Sequence, residues 1–234
     1  MTDQSPKQYE VEIKSLIGGD HELLSRVRTQ LEDTVPDLVR HADQKQLNHY
    51  FNSDGDLVAL GGSLEKYFTK KQTVLYSELI TEGQEFSMRS REINAEEVIF
   101  VMKVSLGADS HANAVARREF EVVMPVSLDE LDQLILNAGF SYKSKWSRER
   151  ETYTSVEHGI TATIDKNAGY GYLVECEKVT DDIARVDEIK QEILTFMQMF
   201  GLEEINQARI DRMFAHYNEH WQDYYGTDKT FLLE

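Results

Sequence analysis

Pairs of like charges, each pair two positions apart, recur along this 234-residue chain. Acidic pairs stand at Glu10 and Glu12, at Glu119 and Glu121, and at Glu175 and Glu177. Basic pairs stand at Arg89 and Arg91 and at Arg148 and Arg150, and Lys14, Lys103, Arg117 and Asp165 extend the pattern singly. Clustered carboxylates hold Mg²⁺ or Mn²⁺ through oxygen. Arginines grip phosphate bidentately, and lysine adds a compact charge. A carboxylate cannot touch phosphate directly, but a cation can bridge the two. The ligand that needs both groups at once is a polyphosphate carrying a divalent metal.

A spacing of two is the spacing of one strand face. In YEVEIK, residues 9–14, Glu10, Glu12 and Lys14 share a face, while Tyr9, Val11 and Ile13 form the other. The ordinary reading of such a face is contact with water, because antiparallel sheets commonly expose one side. Three features argue for an interior instead. Lys103 lies in VIFVMKVS, a strand apolar on both sides of its pleat, and a buried lysine needs a partner. Acids and bases also segregate by strand, and Ser and Thr are scarce at these positions. A closed barrel satisfies all three, with its apolar face outward under helices and its charged face lining a wet channel. In that lining seven acids meet seven bases, so the net charge of −17 belongs to the rest of the molecule.

The elements follow from period and punctuation. Strands are predicted at 8–15, 47–52, 86–93, 98–106, 116–126, 140–156, 159–165 and 171–179. Asp20 opens a helix carrying Leu23, Leu24, Val27 and Leu31 on one face, and Ser127 with Glu130 forms a capping box for another. Asp181 or Asp182 starts a helix closed by Gly201, and an aromatic-rich helix covers roughly 203–224. Residues 53–84 read as an insertion of short helical pieces and polar loop. The strands do not alternate strictly with helices, so the fold class is α+β: an eight-stranded antiparallel β-barrel, or tunnel, with helices packed outside. The expected organisation is one tunnel domain over residues 1–200 and a helical extension over 201–234 that packs on it.

The acidic balance argues against a nucleic-acid duplex as partner. No segment has the length and apolarity of a membrane span, and MTDQSPKQ has no hydrophobic signal segment. The single cysteine, Cys176, excludes an internal disulfide and fits a reducing cytoplasm.

In order, Glu10-x-Glu12-x-Lys14, Arg89-x-Arg91, Lys103, Glu119-x-Glu121, Arg148-x-Arg150-x-x-Tyr153, Asp165, and Gly171 before Glu175-x-Glu177 resemble the CYTH superfamily, the triphosphate tunnel metalloenzymes. The resemblance covers roughly residues 9–200. It implies metal-dependent chemistry on a triphosphate, as in thiamine triphosphatases, tripolyphosphatases and class IV adenylate cyclases. Carried onto this chain, it implies phosphate binding by Lys14, Arg89, Arg91, Lys103 and Arg150, and Arg117 and Arg148 join them as candidate phosphate-binding residues. It implies metal ligation by Glu119 or Glu121, Asp165, Glu175 and Glu177, and a metal or water site at Glu10 and Glu12 beside Lys14. The expected cofactor is Mg²⁺ or Mn²⁺. The expected function is hydrolysis of a small-molecule triphosphate; the alternatives are a cyclase and a binding module without turnover. Residues 53–84 and the long C-terminal helix depart from the family pattern.

Other residues draw less weight. His216 and His220 have a zinc-ligand spacing but no third ligand. Cys176 alternates with the two glutamates and so faces the apolar side. Phe214, Tyr217, Trp221, Tyr224 and Tyr225 have the spacing of a packed helix, with a homodimer interface as the alternative to internal packing.

Overall fold

The computed structural model describes residues 8–82, 85–105 and 117–232. Residues 1–7, residues 83–84, and the predicted strand ends at Leu106 and Ala116 lie outside the described residues. In chain order the elements are β1 (Tyr9–Gly18), α1 (His21–Thr34), β2 (Leu38–Arg40), β3 (Gln44–Phe51), α2 (Leu57–Leu64), α3 (Lys70–Glu82), β4 (Glu85–Ile93) and β5 (Glu97–Ser105). There follow β6 (Arg117–Met124), α4 (Leu128–Asn137), β7 (Tyr142–Ser155), β8 (Ile160–Asn167), β9 (Gly171–Thr180), α5 (Val186–Gln198) and α6 (Gln207–Tyr224). Single 3₁₀ turns precede α3 and α5.

All strand pairings are antiparallel, in the order β7-β3-β4-β5-β6-β1-β9-β8, and β7 also pairs with β8. That last pairing closes eight strands into a ring around a tunnel. The short β2 continues the β3 edge against β7. It escapes sequence reading because three residues are too few to show a period. The start of β3 does too, since Gln44, Lys45 and Gln46 are all polar.

The outward faces carry the hydrophobic effect. One apolar cluster joins Val11, Ile13, Val174 and Cys176 to Val27 and Leu31 of α1 and Ile189 and Ile193 of α5. A second joins Phe100, Met102, Phe120 and Val122 to α2, α3 and α4. The segment read as an insertion is thus mostly helix, and it covers this half of the ring. Asp20 caps α1, and Ser127 and Glu130 form the predicted reciprocal box on α4. A third cluster is different. It joins Leu16, Tyr50, Trp146 and Leu173, which lie on inward strand faces, to Ile210, Met213, Phe214 and Tyr217 of α6. The C-terminal helix therefore packs across one end of the tunnel. Its aromatic set finds its partners within the chain, and Tyr225 reaches His49 Nε2 at 2.7 Å.

The β8–β9 turn leaves little room. Gly171 has φ +80°, and a Cβ there would lie 2.5 Å from the Gly18 carbonyl oxygen. Gly171→Ala is expected to lower stability by roughly 2 kcal/mol or more in urea denaturation, through backbone strain and forced parting of β1 from β9. An unchanged midpoint would show that the turn adapts without loss.

Candidate functional site

Strand order divides the tunnel by charge. Arginines and Lys103 come from β7, β4 and β5, which with β3 make one contiguous half. The glutamates come from β6, β1 and β9, the facing half, with Lys14 and Arg117 set among them. The cavity between the two halves is about 370 Å³. Every sequence-assigned site residue lines it except Asp165. Tyr50 and Ser87 also line it, as do Gln207, Ile210, Asp211 and Phe214 of α6.

On the acidic side Glu10, Glu12 and Glu177 offer carboxylate oxygens that lie within 4.8 Å of one another. Glu12 stands directly opposite Glu177 in the β1–β9 register, and Lys14 stands opposite Glu175. Burial and the Glu10 charge push the Glu177 carboxyl up to about 8. Burial, with Glu10 and Glu121 added, pushes Glu119 up to about 7 against the pull of Lys103. Glu12 goes the other way: burial opposes its charge, yet Lys14, Lys103 and Arg117 hold it well below the usual carboxylate range. Glu12 accepts from Lys14 Nζ at 2.6 Å and from Arg117 Nη1 at 3.0 Å. Lys103 is paired with Glu10 and lies 3.5 Å from Glu119 and 3.8 Å from Glu12. The partner that the sequence demanded for this lysine is thus a set of carboxylates.

On the basic side Arg91 donates through Nε to Asn48 Oδ1 at 3.2 Å and through Nη1 to Glu121 at 3.0 Å. Burial and the nearby Arg89 and Arg148 push its pKa down to about 9, which still leaves it charged at neutral pH. Arg89 donates to the Tyr50 hydroxyl at 2.5 Å. Arg148 and Arg150 converge on Asp165, with contacts of 2.8, 2.7 and 2.6 Å, and Arg150 also reaches Glu175 at 2.9 Å.

Asp165 stands apart from the other acids. It is fully buried and does not line the cavity. Its two oxygens are taken by guanidinium groups, and although burial opposes its charge, Arg148, Arg150 and Arg91 hold its pKa down. It braces Arg148 and Arg150; among the described residues the carboxylates that converge are Glu10, Glu12 and Glu177. Glu121, expected as an alternative ligand, is paired to Arg91.

The residues present suit a hard divalent cation. The convergent donors are all carboxylate oxygens, and the raised Glu177 marks an excess of like charge that a cation relieves. They also suit an anion opposite. Buried polar atoms without a partner include Arg89 Nε and Asn48 Nδ2 on strands of the basic half and Thr163 Oγ1 on β8. His216 and His220 belong to no convergent ligand group among the described residues. Burial pushes the Cys176 thiol up to about 12, as suits a core residue.

The chain belongs to the CYTH family: the CYTH domain matches residues 8–210. Members of that family are metal-dependent enzymes of triphosphatase or class IV adenylate cyclase type. The fold is similar to a conserved hypothetical protein from Pyrococcus furiosus (TM-score 0.60, 18% identity, 85% of this chain and 95% of that one). It is also similar to a protein from Pyrococcus horikoshii (TM-score 0.57, 21% identity, 85% and 94%). A candidate adenylate cyclase from Vibrio parahaemolyticus shares it as well (TM-score 0.55, 18% identity, 88% and 99%). No curated protein matches the chain. Among the described residues, no helix is long and apolar enough to cross a membrane.

Proposed function

We propose that this chain is a divalent-metal-dependent hydrolase of a small-molecule triphosphate. The observation that carries this reading is the division of one closed tunnel into an arginine wall and a carboxylate wall, with Glu10, Glu12 and Glu177 converging on the second. Glu10, Glu12 and Glu177 would hold the cation, with Glu175 and Glu119 beside them. When bound, the cation, Mg²⁺ or Mn²⁺, supplies charge neutralisation and acidifies water.

The side chains supply the rest. Arg89, Arg91, Arg148 and Arg150 grip the phosphate oxygens and meet the charge that builds up as the P–O bond breaks. Asp165 keeps two of those guanidinium groups in place. Lys14, held against Glu12, orients the attacking water. Lys103 balances the carboxylate cluster from the facing strand.

The test is product identification with Mg²⁺ or Mn²⁺ and either ATP or tripolyphosphate. Orthophosphate is the expected product. Cyclic AMP with pyrophosphate would make the chain a cyclase, and binding without turnover would make it a module that holds polyphosphate. Absence of binding would remove the triphosphate reading.

A further inference from the structure

Among the described residues, one fully buried acid lies outside the tunnel chemistry. Asp132 of α4 is 1% exposed and sits on the outer side of the ring. Four side chains converge on it. His49 Nδ1 and the Tyr142 hydroxyl each donate to Oδ2 at 2.6 Å. The Ser90 hydroxyl donates to Oδ1, and Lys145 Nζ lies 3.9 Å from Oδ2. An ionised carboxylate only accepts, so Nδ1 carries the proton, and in the neutral ring Nε2 is the acceptor for the Tyr225 hydroxyl at 2.7 Å. Burial opposes the charge of Asp132, but hydrogen bonds from His49, Ser90 and Tyr142 hold its pKa below the ordinary value.

Three of these partners form one row. Lys145, His49 and Ser90 stand directly opposite one another on β7, β3 and β4, which are neighbours in the ring. The row faces outward, so the rows on either side of it face inward. One is Trp146, Asn48 and Arg91; the other is Ser144, Tyr50 and Arg89. In each inward row the β3 residue holds the arginine. Asn48 Oδ1 accepts from Arg91 Nε at 3.2 Å, and the Tyr50 hydroxyl accepts from Arg89 Nη1 at 2.5 Å. The row that Asp132 ties from outside therefore lies between the two rows that carry Arg89 and Arg91 inside.

Stability alone does not ask for an acid here. Leu128, Leu131 and Ile135 already anchor α4 in the second apolar cluster. A buried carboxylate carries a desolvation cost that another apolar side chain would avoid. What it adds is direction: two oxygens that hold three strands at hydrogen-bond length.

We infer that Asp132 is a positioning residue for the arginine wall. By tying Ser90, His49 and Tyr142 from the outer face, it fixes the spacing of β4, β3 and β7, and with it the places at which Arg89 and Arg91 present their guanidinium groups. The inference rests on the triphosphate reading of the tunnel and extends that site to a residue on the far side of the sheet. A misplacement of about 1 Å at a binding group can cost on the order of 100-fold, so a loosened row is felt inside.

Methylene-bridged tripolyphosphate, which resists hydrolysis, is titrated calorimetrically with Mg²⁺ into the full chain and three variants. Asp132→Asn keeps the shape but turns one acceptor into a donor facing other donors. Ser90→Ala releases β4 from the acid with a minimal change of volume. Ile135→Val trims the buried apolar side of the same helix and serves as the control. Asp132→Asn is expected to raise the dissociation constant about tenfold or more and Ser90→Ala about threefold or more, with Ile135→Val within about twofold of wild type. An unfolded fraction lowers the number of sites titrated and leaves the dissociation constant of the remainder unchanged, so lost fold and a displaced wall read out separately. Should Asp132→Asn fail to fold, Ser90→Ala decides alone. Affinities within about twofold of wild type in the folded Asp132 and Ser90 variants, or an equal rise in Ile135→Val, would overturn the positioning role and leave the triphosphate reading standing. A wild-type chain that does not bind the analogue would overturn both.

Discussion

Glu177→Gln is expected to stabilise the chelator-treated protein at pH 8.5 while abolishing most of its metal-dependent turnover. In the folded chain burial and Glu10 hold the Glu177 carboxyl at about 8. An unfolded glutamate titrates at about 4.3. Between those two values the folded chain keeps a proton that the unfolded chain has lost. The stability this proton confers is therefore fully present at low pH and drains away as the pH rises through about 8. Glu119, held at about 7, adds a loss of the same sign that ends earlier. Glu10 and Glu12, whose pKa values are lowered, act in the opposite sense, and only at acid pH. Glutamine keeps a donor for Glu10 and never ionises. Its gain at pH 8.5 should be roughly 2 kcal/mol, a discounted share of the full shift, and the slope of melting temperature against pH should flatten. Turnover should fall about 100-fold or more, because one of three convergent carboxylates is gone. Unchanged turnover, or a lower melting temperature at pH 8.5, would remove Glu177 from the cluster. The pairing of gained stability with lost activity is the mark of a site that stores like-charge repulsion for a cation.

Much of this tunnel is legible in the sequence because side-chain parity along a strand is robust. Once Tyr9, Val11 and Ile13 must be buried, Glu10, Glu12 and Lys14 have one place to go, and a slip of one residue would bury the charges. The same argument places Arg89 with Arg91, Glu119 with Glu121, and Glu175 with Glu177. Parity does not say which strands become neighbours. The convergence of Glu10, Glu12 and Glu177 depends on β1 lying beside β9, and the bracing of Arg150 by Asp165 depends on their direct pairing across β7 and β8. Both are long-range facts of closure, so parity alone shows neither which carboxylates converge nor that Asp165 is taken up by two arginines. Gln46, Asn48 and Tyr50 alternate on β3 as plainly as any charged pair. A reading keyed to charge passes over neutral side chains, although Gln46 and Tyr50 each receive an arginine. Similarly, α6 shows its apolar stripe, but a stripe does not name the surface it will cover. That Gln207 and Asp211 reach the cavity follows from the end of the ring on which the helix comes to rest.

Tyr217→Ala tests whether that resting place is part of the fold. Tyr217 is fully buried and stacks on Trp146, an inward-facing residue of β7. Its hydroxyl donates to the Lys145 carbonyl at 2.9 Å. Truncation removes an aromatic ring from a packed cluster, leaves a cavity between helix and sheet, and strands a carbonyl. The expected cost is about 3–5 kcal/mol, with Tyr217→Phe losing about 1 kcal/mol for the hydroxyl alone. Urea denaturation of both variants at one pH provides the comparison. The form of the transition carries as much information as its midpoint. We propose that the tunnel and residues 201–234 are one unit, because α6 shares a core with four strands of the ring and its following residue, Tyr225, is tied to His49, which Asp132 of α4 grips at 2.6 Å. One cooperative transition, shifted as a whole, is then expected for Tyr217→Ala. A helix that merely leaned on the ring would melt separately and leave the main transition in place.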